Sequence, residues 1–219
     1  MRVFIVLCLL ALPLTSFAEF RGHQWGTHRQ TVESVEDSNV QRLGYPNRPA
    51  TKRSDTYLSY DPQPLTPEYN AYIHFHFDTQ GLSKGSYTIY RENYEESTYS
   101  AYQYFSAQLQ SKYGKPDMKR ASPTGILGWI GTEKFRAELG HLRILQAWET
   151  PETIIVHEML GDSDGDIIAE HTITWFSIPE FLREMCRRES PDSRPVMSEG
   201  GEMSGDCETA KDARLQELI

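Results

Sequence analysis

Residues 142–176 read LRILQAWETPETIIVHEMLGDSDGDIIAEHTITWF, and they decide the fold. Leu142 to Glu149 alternates apolar with polar side chains, and Thr150, Pro151 and Glu152 then turn the chain. Thr153 to Leu160 is rich in β-branched residues, Gly161 to Asp166 is a second turn, and Ile167 to Phe176 returns with Ile173 and Trp175 on one face. Three runs of period two separated by turn residues predict an antiparallel meander.

Working outward, Ala71, Ile73, Phe75 and Phe77 alternate with Tyr72, His74, His76 and Asp78, the pattern of a half-buried strand. A turn at Gln80 and Gly81 sends Leu82 to Tyr90 back as its hairpin partner. Asn93 with Glu96 forms a capping box for a helix whose apolar stripe is Tyr99, Tyr102, Phe105, Leu109 and Tyr113. Gly114 and Pro116 stop it. Ser177 with Glu180 opens another helix, from Ile178 to about Arg188, and Thr132 caps a short one from Glu133 to Leu139. Near the start, Phe20 to Trp25 reads as a short strand, and Thr27 with Gln30 caps a brief helix ending near Ser38 or Asn39, with Val32 and Val35 on one face. Five prolines between Gly44 and Tyr69 predict a long loop, with Thr56 to Tyr60 an edge strand inside it. Glycines and Pro123 make Met118 to Gly131 a second loop.

The fold class predicted is α+β: an antiparallel sheet built from the hairpin plus the three-stranded meander, covered on one face by helices, with Trp148 or Trp175 deep in it. Residues 1–18 predict a signal peptide, because Arg2 precedes an apolar run, Val3 to Leu14, that is shorter than the roughly 20 residues of a membrane span. Ser16 and Ala18 are the small residues before the cleavage point. The expected product is periplasmic or secreted. Residues 19–188 form one domain or two packed halves, 19–91 and 92–188, each with a helix and a run of strands. Residues 189–219 are rich in Ser, Pro, Gly and acids, predicting a flexible tail with a short terminal helix left open. Cleavage removes Cys8, so the two remaining cysteines, Cys186 and Cys207, are expected to form a disulfide in an oxidising compartment.

A net charge of −9 argues against a nucleic-acid partner, which demands clustered Lys and Arg. Lys119 with Arg120, and Arg187 with Arg188, are isolated pairs. No second apolar stretch approaches membrane length, so the mature chain is not expected to be membrane-embedded.

The opening Phe20-Arg21-Gly22-His23-Gln24-Trp25-Gly26 resembles the start of uncharacterised bacterial exported proteins that begin F-R-G-x-x-W-G. Phe75 to Leu82 is similar to their F-x-F-x-x-x-G-L hairpin, Lys112 to Pro116 to their K-Y-G-K-P helix end, and Ala147 to Ile154 to their W-x-x-x-x-T-x-I strand pair. The order of elements is similar, distantly, to the β-lactamase-inhibitor-like fold. That resemblance implies helices on one face of an antiparallel sheet and a domain that binds another protein, here an envelope protein.

Gly161-Asp162-Ser163-Asp164-Gly165 matches the G-x-S-x-G hydrolase elbow, but a strand follows where the elbow needs a helix. The same loop spaces Asp162, Asp164 and Asp166 like calcium ligands, yet Ile167 and Ile173 stand where Gly and Glu are required. His74 and His76, two apart on a strand, share a face and with Asp78 offer a metal-dependent hydrolase as the alternative function, His157 or His171 supplying a third imidazole. The same face presents Tyr72. All twelve tyrosines lie between Tyr45 and Tyr113, and Tyr104 falls off its helix's apolar stripe. Tyr72, His74, His76 and Tyr104 are therefore the candidate protein-binding residues, since Tyr gives large contact area at small entropic cost. No catalytic set and no cofactor motif is complete.

Overall fold

The computed structural model describes residues 19–42, 50–90, 98–123, 131–138, 141–160 and 171–189. The predicted signal peptide, the predicted Asn93–Glu96 capping box, the turn carrying Ser163 with Asp162, Asp164 and Asp166, and Cys207 lie outside these residues.

Among the described residues, eight strands form one antiparallel sheet: β3 (Lys52–Ser54), β4 (Tyr57–Pro64), β5 (Asn70–Asp78), β6 (Gly81–Tyr90), β7 (Met118–Pro123), β8 (Leu142–Glu149), β9 (Thr153–Met159) and β10 (His171–Ser177). Their order across the sheet is 3-4-5-6-10-9-8-7. Two short strands, β1 (Glu19–Phe20) and β2 (His23–Gln24), pair separately. The hairpin is β5–β6, the meander is β8–β9–β10, and the two join where β6 meets β10, Ile173 opposite Tyr87. In chain order, helix α1 (Arg29–Arg42) precedes β3 to β6, and α2 (Thr98–Tyr113) precedes β7 to β10. Each half is thus a helix followed by a four-stranded meander, and the two fourth strands pair antiparallel at the centre.

The register assigns the faces. Ile73, Phe75, Tyr87, Ile89, Trp175, Ile173, Ile155 and Trp148 point to one side, which α1 and α2 cover. Under α1 lie Leu58, Tyr60, Ile73 and Phe75, packed against Val32 and Val40. Under α2 lie Ile155, Trp148, Ile89 and Ile173, packed against Ala101, Phe105 and Leu109. Trp148 is 1% exposed, and its Nε1 donates to the Gly114 carbonyl at 2.9 Å, so its one polar atom is satisfied. Trp175 is only half-buried, so it does not share that depth.

A fourth helix, α4 (Ile178–Glu189), crosses to the far face, where Phe181, Ile178 and Met185 pack on Ile154, Val156 and Phe176. Helices therefore sit on both sides of the C-terminal half, whereas only one side was expected to carry them. The short helix α3 (Glu133–Glu138) starts as predicted, Phe135 N donating to Thr132 Oγ1 at 3.2 Å.

Three expectations are corrected. The first helix runs on to Arg42 and buries Val32, Glu36 and Val40, while Val35 faces solvent. The Thr27 hydroxyl donates back to the Gln24 carbonyl at 2.7 Å instead of capping the helix. Residues 57–64 form a strand despite two prolines, because a register shift between Tyr60 and Gln63 removes the ladder position that Pro62 cannot serve. Met118 to Pro123 is an edge strand, not a loop, pairing with Leu142 to Ala147. Its exposed Lys119 and Arg120 suit an edge that must not recruit further strands.

Candidate functional site

On the far face of the N-terminal half, β4, β5 and β6 present Tyr57, Ser59, Tyr72, His74, His76, Lys84 and Thr88 side by side, as their registers require. His74 is the centre. The Tyr57 hydroxyl lies 2.7 Å and the Ser59 hydroxyl 3.0 Å from its Nδ1, and the Thr88 hydroxyl lies 3.3 Å from its Nε2. Tyr72 stacks on it with centroids 6.3 Å apart, and Tyr57 meets His76 edge-on at 4.8 Å. Burial, reinforced by Lys52 and Lys84, pushes His74 down to about 4, so the ring is neutral near pH 7. Tyr72 itself is 39% exposed.

This arrangement separates residues that a metal would need together. Both ring nitrogens of His74 already face hydroxyls, and Asp78 is ion-paired with Arg183 of α4 while also accepting from Gln80 N at 2.8 Å. His157 and His171 lie on the helix-covered face, opposite to His74, so they cannot complete its ligand set. Among the described residues no group of three His, Cys, Asp or Glu is placed to hold a metal ion. Tyr104 is likewise separated from Tyr72. It sits on α2, 40% exposed, with Tyr69 at 5.6 Å, on the other side of the sheet. The far face therefore unites Tyr72, His74 and His76 but not Tyr104.

Two buried polar clusters escaped the sequence reading. In the first, Glu36 of α1 is fully buried and accepts from Arg21 Nη2 at 3.0 Å, with His23 Nε2 also at 3.0 Å. Arg21 Nη1 donates in addition to the Tyr87 hydroxyl at 3.3 Å. Burial alone would raise the Glu36 carboxyl, but the hydrogen bonds from His23 and Arg21 and the Arg21 charge outweigh it and hold the group below its ordinary value. In the second, His157 and His171 lie wholly inside under α2. Their Nε2 and Nδ1 are 3.1 Å apart, Ser106 Oγ is 3.1 Å from His157 Nδ1, and Tyr102 stacks on His157 at 4.1 Å. Burial pushes both rings down, His171 to about 3. Among the described residues, no carboxylate is hydrogen-bonded to either ring.

The F-R-G-H-Q-W-G stretch is a structural clasp. Gly85 lacks the side chain whose Cβ would fall 2.0 Å from Phe20 Cδ1, and the Phe20 ring fills that socket between Phe75, Tyr87 and Trp175. Gly26 N donates to the Leu82 carbonyl at 2.8 Å, an approach that requires Gly81, whose Cβ would lie 2.3 Å from Gly26 O. Trp25 Nε1 then donates to Thr153 Oγ1 of β9 at 2.8 Å, tying the segment to the second half.

Cys186, on α4, is not a free thiol. Among the described residues no helix is long and apolar enough to cross a membrane. No family model, curated protein or solved structure matches the chain.

Proposed function

We propose that this chain is a non-catalytic, exported binding module that engages another envelope protein through the far face of its N-terminal half. The observation that carries this reading is the open hydroxyl and imidazole surface on β4 to β6, with a neutral His74 held by three hydroxyls and a half-exposed Tyr72 stacked upon it. Such a surface is preorganised, since its rings are fixed before a partner arrives, and preorganisation lowers the entropic cost of association. The repeated order of a helix and four strands supports the resemblance-based reading, in which a sheet is a platform for a protein partner. Export through a cleaved leader, and a Cys186–Cys207 disulfide anchoring the tail to α4, belong to the same proposal.

Crosslinking in intact cells followed by mass spectrometry should recover one specific envelope protein, and recovery should fall several-fold for Tyr72→Ala while remaining near wild type for Tyr104→Ala. Equal loss for both, or none for Tyr72→Ala, would remove the far face as the interface. Elemental analysis of chelator-free, untagged protein guards the alternative. Stoichiometric metal that disappears in a His74→Ala/His76→Ala double variant would overturn the binding reading in favour of a metal-dependent hydrolase.

A further inference from the structure

Helix α1 packs over β4 and β5 and α2 packs over the C-terminal strands, so the central pair β6–β10 falls between them. Phe20 fills one part of that gap. The rest is a groove of about 350 Å³, floored by Tyr87, Ile173 and Trp175 and walled by Phe105, Leu109 and Tyr113. Tyr87 and Trp175 belong to both hydrophobic clusters and yet stay half-buried, because neither helix reaches over them completely. The volume lies at the small end of the range for organic ligands, roughly 300–1,000 Å³, and is too little for a folded partner.

The charge at the groove mouth indicates what kind of molecule would fit. Lys112 lines the groove from the last turn of α2, its Nζ 4.9 Å from the Tyr113 ring centroid. Among the described residues no carboxylate pairs with it. Arg21, the other cation acting on the Tyr87 hydroxyl, is already committed to Glu36. The groove therefore offers an aromatic and aliphatic floor with one uncommitted positive charge at its rim.

We infer that this groove binds a small amphiphilic monocarboxylate, an aliphatic or aromatic body lying on Trp175, Ile173 and Phe105 with its carboxylate toward Lys112. The site is on the opposite side of the sheet from the proposed protein-binding face and stands or falls independently of it. A carboxylate against a solvent-accessible ammonium adds modestly to affinity, and the apolar floor supplies the remainder.

The test uses decanoate, with decanol as its neutral counterpart, both well below concentrations at which they aggregate, titrated by calorimetry and by tryptophan emission. Wild-type protein should bind one decanoate saturably and shift the emission, and Trp175→Phe should remove most of that shift while retaining the binding heat. Lys112→Gln should weaken decanoate by about two- to fivefold and leave decanol unchanged. Ser111→Trp, placed at an exposed rim position, should block both ligands with an unaltered melting temperature. Absence of saturable binding, several ligands per chain, equal effects of Lys112→Gln on both ligands, or full binding in Ser111→Trp would each overturn the inference.

Discussion

The two halves of the sheet each bury a polar cluster beneath a helix, and the two solve the same difficulty in opposite ways. Under α1, Glu36 and Arg21 are both charged and bonded to each other, with His23 alongside. Under α2, Ser106, His157 and His171 form a chain that is stable only while the imidazoles stay neutral, since burial disfavours their charge and, among the described residues, no carboxylate is bonded to them. A buried charge is tolerated when its partner is buried with it, and a buried titratable group without such a partner must shed its charge. The first cluster should therefore be sensitive to losing a member and the second to gaining a proton.

Removing a member is the larger perturbation. Glu36→Ala should cost about 3 to 5 kcal/mol, because Arg21 is left inside without its counter-charge. Urea midpoints at neutral pH measure this, and a loss below about 1 kcal/mol would mean that Arg21 escapes to solvent. Truncating the two central tryptophans calibrates that figure against apolar burial. Trp148→Ala should cost about 3 to 5 kcal/mol. Trp175→Ala, half-buried in the floor of the groove, should cost visibly less, and equal costs would show that the groove closes in solution.

The proton test follows from the direction of the shifts. His157 and His171 have folded-state values below their ordinary value of 6.5, so the unfolded chain binds protons first as pH falls. Their stabilising contribution is complete above about pH 6.5 and is lost progressively below it, at up to about 1.4 kcal/mol per pH unit for each group. Glu36, with a depressed carboxyl, begins to withdraw its contribution only below its ordinary value of 4.5. Between pH 6.5 and 5 the decline should thus come from the imidazoles, the shifted His74 among them. A His157→Gln/His171→Gln double variant should show a shallower slope there than wild type. An unchanged slope would assign the acid sensitivity elsewhere.

Gly85→Ala probes the clasp that joins the halves. The new methyl would displace the Phe20 ring from its socket, and overpacking of this kind costs about 1 to 3 kcal/mol. Thermal melting measures the loss, and in a Phe20→Ala background, where the socket is empty, Gly85→Ala should add little further loss. At the smallest end, Tyr72→Ala on the open far face should change stability by less than about 0.5 kcal/mol. That near-neutrality is what allows its effect on partner recovery to be interpreted.

By itself the sequence determined the parts of the fold in which side chains obey one period. The alternation Ala71, Ile73, Phe75, Phe77, the three runs from Leu142 to Phe176 and the stripe Tyr99, Tyr102, Phe105, Leu109 were all legible, because each buries an apolar series against a neighbour. Adjacency of Tyr72, His74 and His76 was legible for the same reason, since residues two apart on a strand share a face. Where a buried position is polar, the period fails. Glu36 interrupts the inward stripe of α1, so the helix read as ending several residues early, and His157 and His171 read as candidate ligands because nothing local says they point under α2. Met118 to Pro123 carries almost no apolar signal, and only pairing with β8 makes it a strand. Tertiary structure alone decided that β6 meets β10, which sets Tyr104 and Tyr72 on opposite sides, removes His157 from His74, and turns the F-R-G-H-Q-W-G stretch into a clasp across both halves. Those outcomes depend on contacts between residues far apart in the chain, Phe20 with Gly85 and Trp25 with Thr153, and no local periodicity encodes them.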